Sequence, residues 1–221
     1  SLERGEGTTW VAHAWHAGEK RPMRIEAQQV VLTCPRFVAA FVVEPWRREP
    51  PAFIKAFQYG PWVVANLTLK ERPRSRGAPL CWDNVLYGSQ SLGYVNATHQ
   101  RARADEHGPT VLTWYYPLSG GDVKAERTRL LATTHRDWVD IILADLVPAH
   151  LGLRAQIERI DVMRWGHAMI RPTPGFLFSA ERAQASQSLQ GSLHFANTDL
   201  GGLALFEEAN FHGVRAAEAA L

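Results

Sequence analysis

The sequence predicts an α+β fold, a mixed β-sheet with helices. Several short stretches alternate apolar and polar residues, as half-buried strands do. One long stretch in the second half carries the 3.6-residue spacing of an amphipathic helix. The order is strands, short helices, strands, one long helix, strands, helix, which is not a regular βαβ series.

The elements follow in order. Trp10, Ala12 and Ala14 take one side of a first strand, and Val11, His13 and Trp15 the other. Ala17-Gly18-Glu19-Lys20 is a turn signal. Residues 24–33 read as a second strand ending in an apolar run, so the start is a β-hairpin feeding a buried strand. Cys34-Pro35 breaks it, and residues 36–43 read as a short helix with proline near its first turn. Residues 52–58 read as another, bounded by Pro50-Pro51 and Gly60-Pro61. A strand at 62–69 precedes a polar loop reaching residue 79. Strands are expected at 80–87, 92–98 and 110–116. Residues 122–146 form the strongest helix signal, with Leu130, Leu131, Trp138, Ile141, Ile142, Asp145 and Leu146 giving a mostly apolar stripe; Pro148 ends it. A strand at 157–165, a rigid loop at 171–175, a helix at 179–189, a short buried strand at 191–196 and a helix at 204–221 complete the chain.

Composition bounds the function classes. In 221 residues, 46% are hydrophobic and 21% charged, as in an ordinary soluble globular protein. The formal charge of +2 is spread along the chain, and only residues 70–76 (KERPRSR) concentrate basic groups, which reads as a solvated loop. A nucleic-acid partner is not expected. Two cysteines, Cys34 and Cys81, make no disulfide framework. No apolar run approaches the ~20 residues of a membrane span. The compartment stays open between cytoplasm and periplasm, because a start at Ser1 without methionine is compatible with a processed or truncated chain. No metal site is expected: His13 and His16 sit on opposite faces of a strand, and the other histidines lack ligand spacing. There is no G-x-S-x-G elbow.

Residues 192–221 (SLHFANTDLGGLALFEEANFHGVRAAEAAL) carry the most information. A short apolar strand runs into a small-polar turn with Asp199, then Gly201-Gly202, then a helix with Gly213, Ala216 and Ala217 on its surface. Such a helix start offers unpaired N–H groups and partial positive charge. Glycine at its mouth admits a flat ring or phosphate close to the backbone. A plain strand–turn–helix with Asp199 as helix cap fits the same pattern.

FANTD…GG…LFEEA…HGVRAAE resembles the C-terminal FAD motif of the flavin-containing amine oxidase superfamily, which includes monoamine oxidases, protoporphyrinogen oxidases and phytoene desaturases. Phe195, Ala196, Asp199, Gly202, Glu207, Ala209, Gly213, Ala216 and Ala217 match the family pattern, and Asn197 replaces a glycine. RIEAQQVVLTCP, YGPWVVANLTLKERP and RWGHAMIRPTPGF resemble further family segments, in family order. The resemblance implies that residues 1–35 belong to an FAD-binding domain, 36–190 form a substrate-binding domain, and 191–221 supply the closing strand and helix of a Rossmann-like FAD domain. It implies FAD contacts at Pro35, Thr198, Asp199, Gly202, Leu205 and Phe206. It implies a substrate side lined by Trp62, Val64, Trp165 and Ala168, with Asn66 and His167 as candidate catalytic groups. His167 also fits, and fits better, a hydrogen-bonded core histidine, and Asn66 equally fits an amide satisfied within the sheet. The G-x-G-x-x-G segment that grips FAD in the family is absent.

The family's lysine over the flavin corresponds to Val64, its tyrosine pair to Ala168 and Leu205, and its flavin-linked cysteine to His167. These departures argue against amine oxidation of the usual kind and leave oxidation of a C–N or C–C bond by hydride transfer to flavin open. The expected partners are a small-molecule substrate and the missing N-terminal portion of the same protein, with a homo-oligomer also open. The alternative expectation is a flavin-free binding or assembly module.

Overall fold

The computed structural model describes residues 1–74, 80–100 and 107–221. The end of the polar loop expected to reach residue 79, and of the basic run at 70–76, lies outside the described residues. The chain divides into two compact units, Ser1–Gln58 with Met169–Leu221, and Tyr59–Ala168.

In the first unit, β1 (Leu2–Arg4), β2 (Trp10–His16) and β3 (Arg21–Ala27) form an antiparallel sheet in that order. The stretch predicted as one strand at 24–33 is two, because β4 (Val30–Leu32) leaves the meander and pairs parallel with a strand from the end of the chain. A single straight strand cannot serve an antiparallel and a parallel sheet of different direction, so residues 28–29 bend between them. Pro35 then opens α1 (Arg36–Val42), as its fixed φ favours. A short α2 (Glu44–Arg48), with proline in its first turn, follows unforeseen. The helix expected at 52–58 is only a 3-10 turn, Ala52–Ala56. Prolines before it and Gly60-Pro61 after it leave too few residues for an α-helical nucleus.

The second unit is built on β5 (Tyr59–Leu69), β6 (Asp83–Asn84), β7 (Tyr94–Asn96) and β8 (Thr110–Pro117). Its helices are α3 (Val123–Ala132), α4 (His135–Leu146) and α5 (Leu153–Gln156), and β9 (Ile157–Ile170) leads the chain out. The sheet order is β6-β7-β8-β5-β9. Period-two alternation gives the sheet two unlike faces. Val63, Ala65, Leu67 and Leu69 of β5 and Leu112, Trp114 and Tyr116 of β8 are buried with Leu130, Trp138, Ile142 and Leu146 of the helices. Trp62, Val64, Asn66, Thr113 and Tyr115, at the intervening positions, stay half-buried. The strands expected at 80–87 and 92–98 shrink to β6 and β7. Gly93 has φ +87, and a Cβ there would lie 1.9 Å from the Asn84 carbonyl oxygen, so glycine permits the close approach of β6 to β7.

The single helix predicted at 122–146 is two helices. Leu130, the one buried residue of α3, and Trp138 of α4 keep helical i, i+8 spacing across the break, which is why the spacing hides it. The break is set by a capping box: Thr134 Oγ1 accepts from the Asp137 amide at 3.2 Å, and the Asp137 carboxylate accepts from the Thr134 amide at 3.4 Å. Asp122 caps α3 by accepting from the Lys124 and Ala125 amides.

On its return to the first unit the chain forms α6 (Ala180–Ala185), β10 (Leu193–Phe195) and α7 (Phe206–Ala220). β10 pairs parallel with β4, Leu193 beside Val30 and Phe195 beside Leu32. No helix among the described residues is long and apolar enough to cross a membrane. Replacing Thr134 by alanine removes the α4 cap and is expected to lower stability by about 1 kcal/mol in urea unfolding. An unchanged midpoint would show that packing alone starts α4.

Candidate functional site

The motif that drew attention in the sequence begins where β10 ends. The Ala196 amide donates to the Leu32 carbonyl at 3.1 Å and extends the parallel ladder by one residue. Asn197 then turns the chain. Its Nδ2 donates to the Thr33 carbonyl at 2.8 Å, and its Oδ1 accepts from the Asp199 amide at 3.1 Å. Its φ of −163° is extended backbone open to any residue, so the replacement of the family's glycine costs nothing here, and the amide gains two ties.

Asp199 is 3% exposed and its Oδ2 accepts from the Arg36 amide at 2.8 Å. The carboxylate thus caps the first turn of α1, whose own N-cap, Pro35, has no side-chain acceptor. Arg36 is itself buried. Its guanidinium lies 3.7 Å from the centre of the Phe195 ring and donates to the Ala185 carbonyl. The Thr198 carbonyl receives the Gly201 and Gly202 amides. Gly202 has φ +76, and a Cβ there would meet Leu177 at 2.8 Å; a Cβ on Gly201 would meet the Glu208 carboxylate. Protein side chains therefore occupy the space beside both glycines. Leu205 precedes α7 in extended conformation and provides no side-chain cap, while Phe206, the first helical residue, is 78% exposed.

Behind this turn sits His212, 5% exposed. Burial, reinforced by the Arg215, Arg182 and Arg36 guanidiniums, lowers its pKa to about 4. The Glu208 carboxylate, 3.7 Å away, favours the protonated ring. It is partly solvated, and the burial cost together with three guanidiniums outweighs it.

The other candidates lie in the second unit. Trp62, Val64 and Asn66 share the half-buried face of β5, opposite Pro117, Tyr115 and Thr113 of β8. Asn66 Oδ1 accepts from the Thr113 hydroxyl at 2.8 Å. Trp62 stacks on Tyr115 with 6.3 Å between centroids and 11° between planes. The Tyr115 hydroxyl donates to Asp83 Oδ1 at 2.7 Å, and burial, then Asp83, pushes its pKa up to about 12.

On β9, Trp165 is 54% exposed and Ala168 half-buried. The His167 ring lies 6.2 Å from that of Tyr59, a residue sharing the strand parity of the helix-covered Val63. Trp62, Val64 and Asn66 have the opposite parity, so the contact sets His167 apart from them. Burial and the Arg127 guanidinium lower its pKa. Arg127 donates to the Gly166 carbonyl at 2.7 Å and to the Tyr59 carbonyl at 3.4 Å, joining β9 to β5.

Sequence reasoning missed Arg36, Asp83, Tyr115 and His212. Only Arg36 left a signal, as a charge in an otherwise apolar helix start. The rest depend on cross-strand register or on contacts remote in sequence. Among the described residues no cluster of histidine, cysteine or acidic side chains could hold a metal ion.

No protein-family model matches the sequence, and no curated protein matches it. Solved structures do match the fold. Cyclohexylamine oxidase from Brevibacterium oxydans aligns with a TM-score of 0.64 at 15% identity, over 99% of this chain and 47% of that one. Wild-type putrescine oxidase bound to putrescine aligns with a TM-score of 0.67 at 13% identity, over 98% of this chain and 46% of that one. The fold is that of part of an amine oxidase, and the chain spans about half the length of the structures it matches.

A histidine kept neutral by folding stabilises the protein above its unfolded pKa, and that contribution is lost as pH falls toward the folded value. Stability is therefore expected to drop between pH 6.5 and about 4, the ordinary and lowered values of His212. His212→Gln should flatten that part of a plot of Tm against pH. An equally steep plot in the variant would assign the acid sensitivity to other groups.

Proposed function

We propose that this chain is the C-terminal portion of an FAD-dependent oxidoreductase that oxidises a C–N or C–C bond of an organic substrate, the hydride passing from the substrate's C–H bond to flavin. The observation that carries the reading is the likeness of nearly the whole chain to half of two amine oxidases. The turn residues of the resembling motif also gather where β4 and β10, a parallel pair, both end. In parallel sheets ligands bind beyond the carboxyl ends of the strands.

The residues fit such a cofactor through their donors. α7 starts without a side-chain cap, so its first-turn amides and dipole remain available to an external acceptor. In this reading Phe206 presents its amide to the electron-rich edge of the ring system, Leu205, whose own amide is held by the Leu203 carbonyl at 2.9 Å, leads the chain into the helix, and Thr198 and Gly202 shape the turn beside it. Pro35 sets the start of α1, and Asp199 holds that start to the turn through the Arg36 amide. FAD, when bound, supplies the two-electron acceptor.

The half-buried sheet face supplies the substrate side. Val64 offers no proton-transfer group where the family has lysine, so the chain positions and desolvates the substrate instead of titrating it. Trp62 supplies a flat wall, and Asn66, held by Thr113, an oriented amide. Trp165 and Ala168 complete the substrate residues, and His167 lies on β9 beside the Tyr59 ring.

The proposed partner is the N-terminal portion of the same protein. Phe206, Phe211 and Val214 leave α7 with an apolar exposed surface, and Val31 does the same for β4. A two-stranded parallel pair also gains from further strands.

A second reading, a flavin-free binding module, is favoured by the filling of the space beside Gly201 and Gly202 by Glu208, Leu177 and Phe176. Flavin absorbance decides between them. Protein made with its preceding segment is expected to purify yellow, and Asp199→Ala should weaken FAD retention about tenfold or more, as loss of a charge-assisted hydrogen bond does. Colourless protein that takes up no added FAD would sink the first reading. In the flavinated protein, Asn66→Ala should lower kcat at unchanged flavin content; equal turnover would remove Asn66 from the site.

A further inference from the structure

On the half-buried face of the second unit, strand pairing aligns four residues in one row: Asp83 on β6, Val95 on β7, Thr113 on β8 and Asn66 on β5. Three strand spacings separate Asp83 from Asn66, or about 14 Å. Tyr115 is two residues beyond Thr113 on the same face, and its ring reaches over β7 to place its hydroxyl on Asp83. The same ring lies nearly parallel to Trp62.

Two features define what this end of the face would take. Asp83 is solvent-exposed and, among the described residues, forms no ion pair; the Tyr115 hydrogen bond uses one of the roughly four acceptor sites of a carboxylate. Trp62 and Tyr115 present aromatic faces, whose negative potential attracts a cation. A neutral donor gains at most a hydrogen bond from the carboxylate, without the charge attraction or the pull of the aromatic faces, and an anion is repelled by both features.

We propose that Asp83, Tyr115 and Trp62 form a subsite for a positively charged ammonium or guanidinium group that the substrate carries remote from the reacting bond. The inference rests on the reading of this face as the substrate side. Asp83 gives charge selection, and its bond to the Tyr115 hydroxyl holds the ring parallel to Trp62. The distance along the row sets the length of substrate that spans from the charge to Asn66.

The test uses protein made with its preceding segment and stripped of flavin, so a negative result here is separate from a failure to bind FAD. Benzylammonium, benzyl alcohol and phenylacetate share a ring and differ in charge; each is titrated at neutral pH and followed by tryptophan fluorescence. Benzylammonium is expected to bind about five- to tenfold more tightly than benzyl alcohol, and phenylacetate more weakly still. Asp83→Asn keeps an oxygen acceptor for Tyr115 and removes the charge, so it should bring the first two ligands to equal affinity. Trp62→Leu should weaken both the cation and the alcohol. Equal binding of all three ligands by the unaltered chain, no binding of any, or a preference that survives Asp83→Asn would each overturn the proposal.

Discussion

The hydrogen bond from the Arg36 amide to the Asp199 carboxylate holds together what the first unit is made of. It joins residues 163 positions apart and ties the start of α1 to the turn after β10. A charge-assisted bond of this kind is worth about 1.5–3 kcal/mol, but its consequence is mainly geometric. Arg36 then lies against Phe195, and Phe195 stacks on Trp46 at 5.3 Å and 17°. One carboxylate therefore sets a helix start, a buried guanidinium and an aromatic stack. The turn that the proposed cofactor role requires is ordered by contacts that need no cofactor.

The second unit solves a different problem. Its sheet must bury enough apolar surface to be stable, yet leave one face accessible. Strand alternation does both at once, because Val63, Ala65 and Leu67 enter the helix-covered core while Trp62, Val64 and Asn66 remain on the other side. Two polar groups buried near the core, Trp114 and Ser91, are paired across elements. Asp145 on α4 accepts from the Trp114 indole at 2.7 Å and from the Ser91 hydroxyl at 2.6 Å, fixing the helix against the sheet.

Local pattern made most of the elements legible. Alternation located β2, β5, β8 and β9, and the order of elements identified the α+β class. The resembling motifs led to the fold that the amine oxidase structures share. The errors have physical causes. Leu130 and Trp138 keep helical spacing across Thr134, so periodicity cannot see a break made by a capping box. The stretch at 24–33 is uniform in propensity, and its division between two sheets comes from partners elsewhere. β6 and β7 are short because their pairing depends on one close approach at Gly93.

By itself the sequence determined which residues could be strand, helix or turn, which positions on β5 face alike, and where the chain departs from the resembling family. These are properties of neighbours along the chain, and side-chain period and backbone preference encode them directly. Tertiary structure alone decided that Asp199 caps α1, that Asn197 profits from replacing glycine, that His167 keeps company with Tyr59, and that Asp83 meets Tyr115. Each of these joins groups on separate elements, where register and packing choose the partner and no local spacing records the choice.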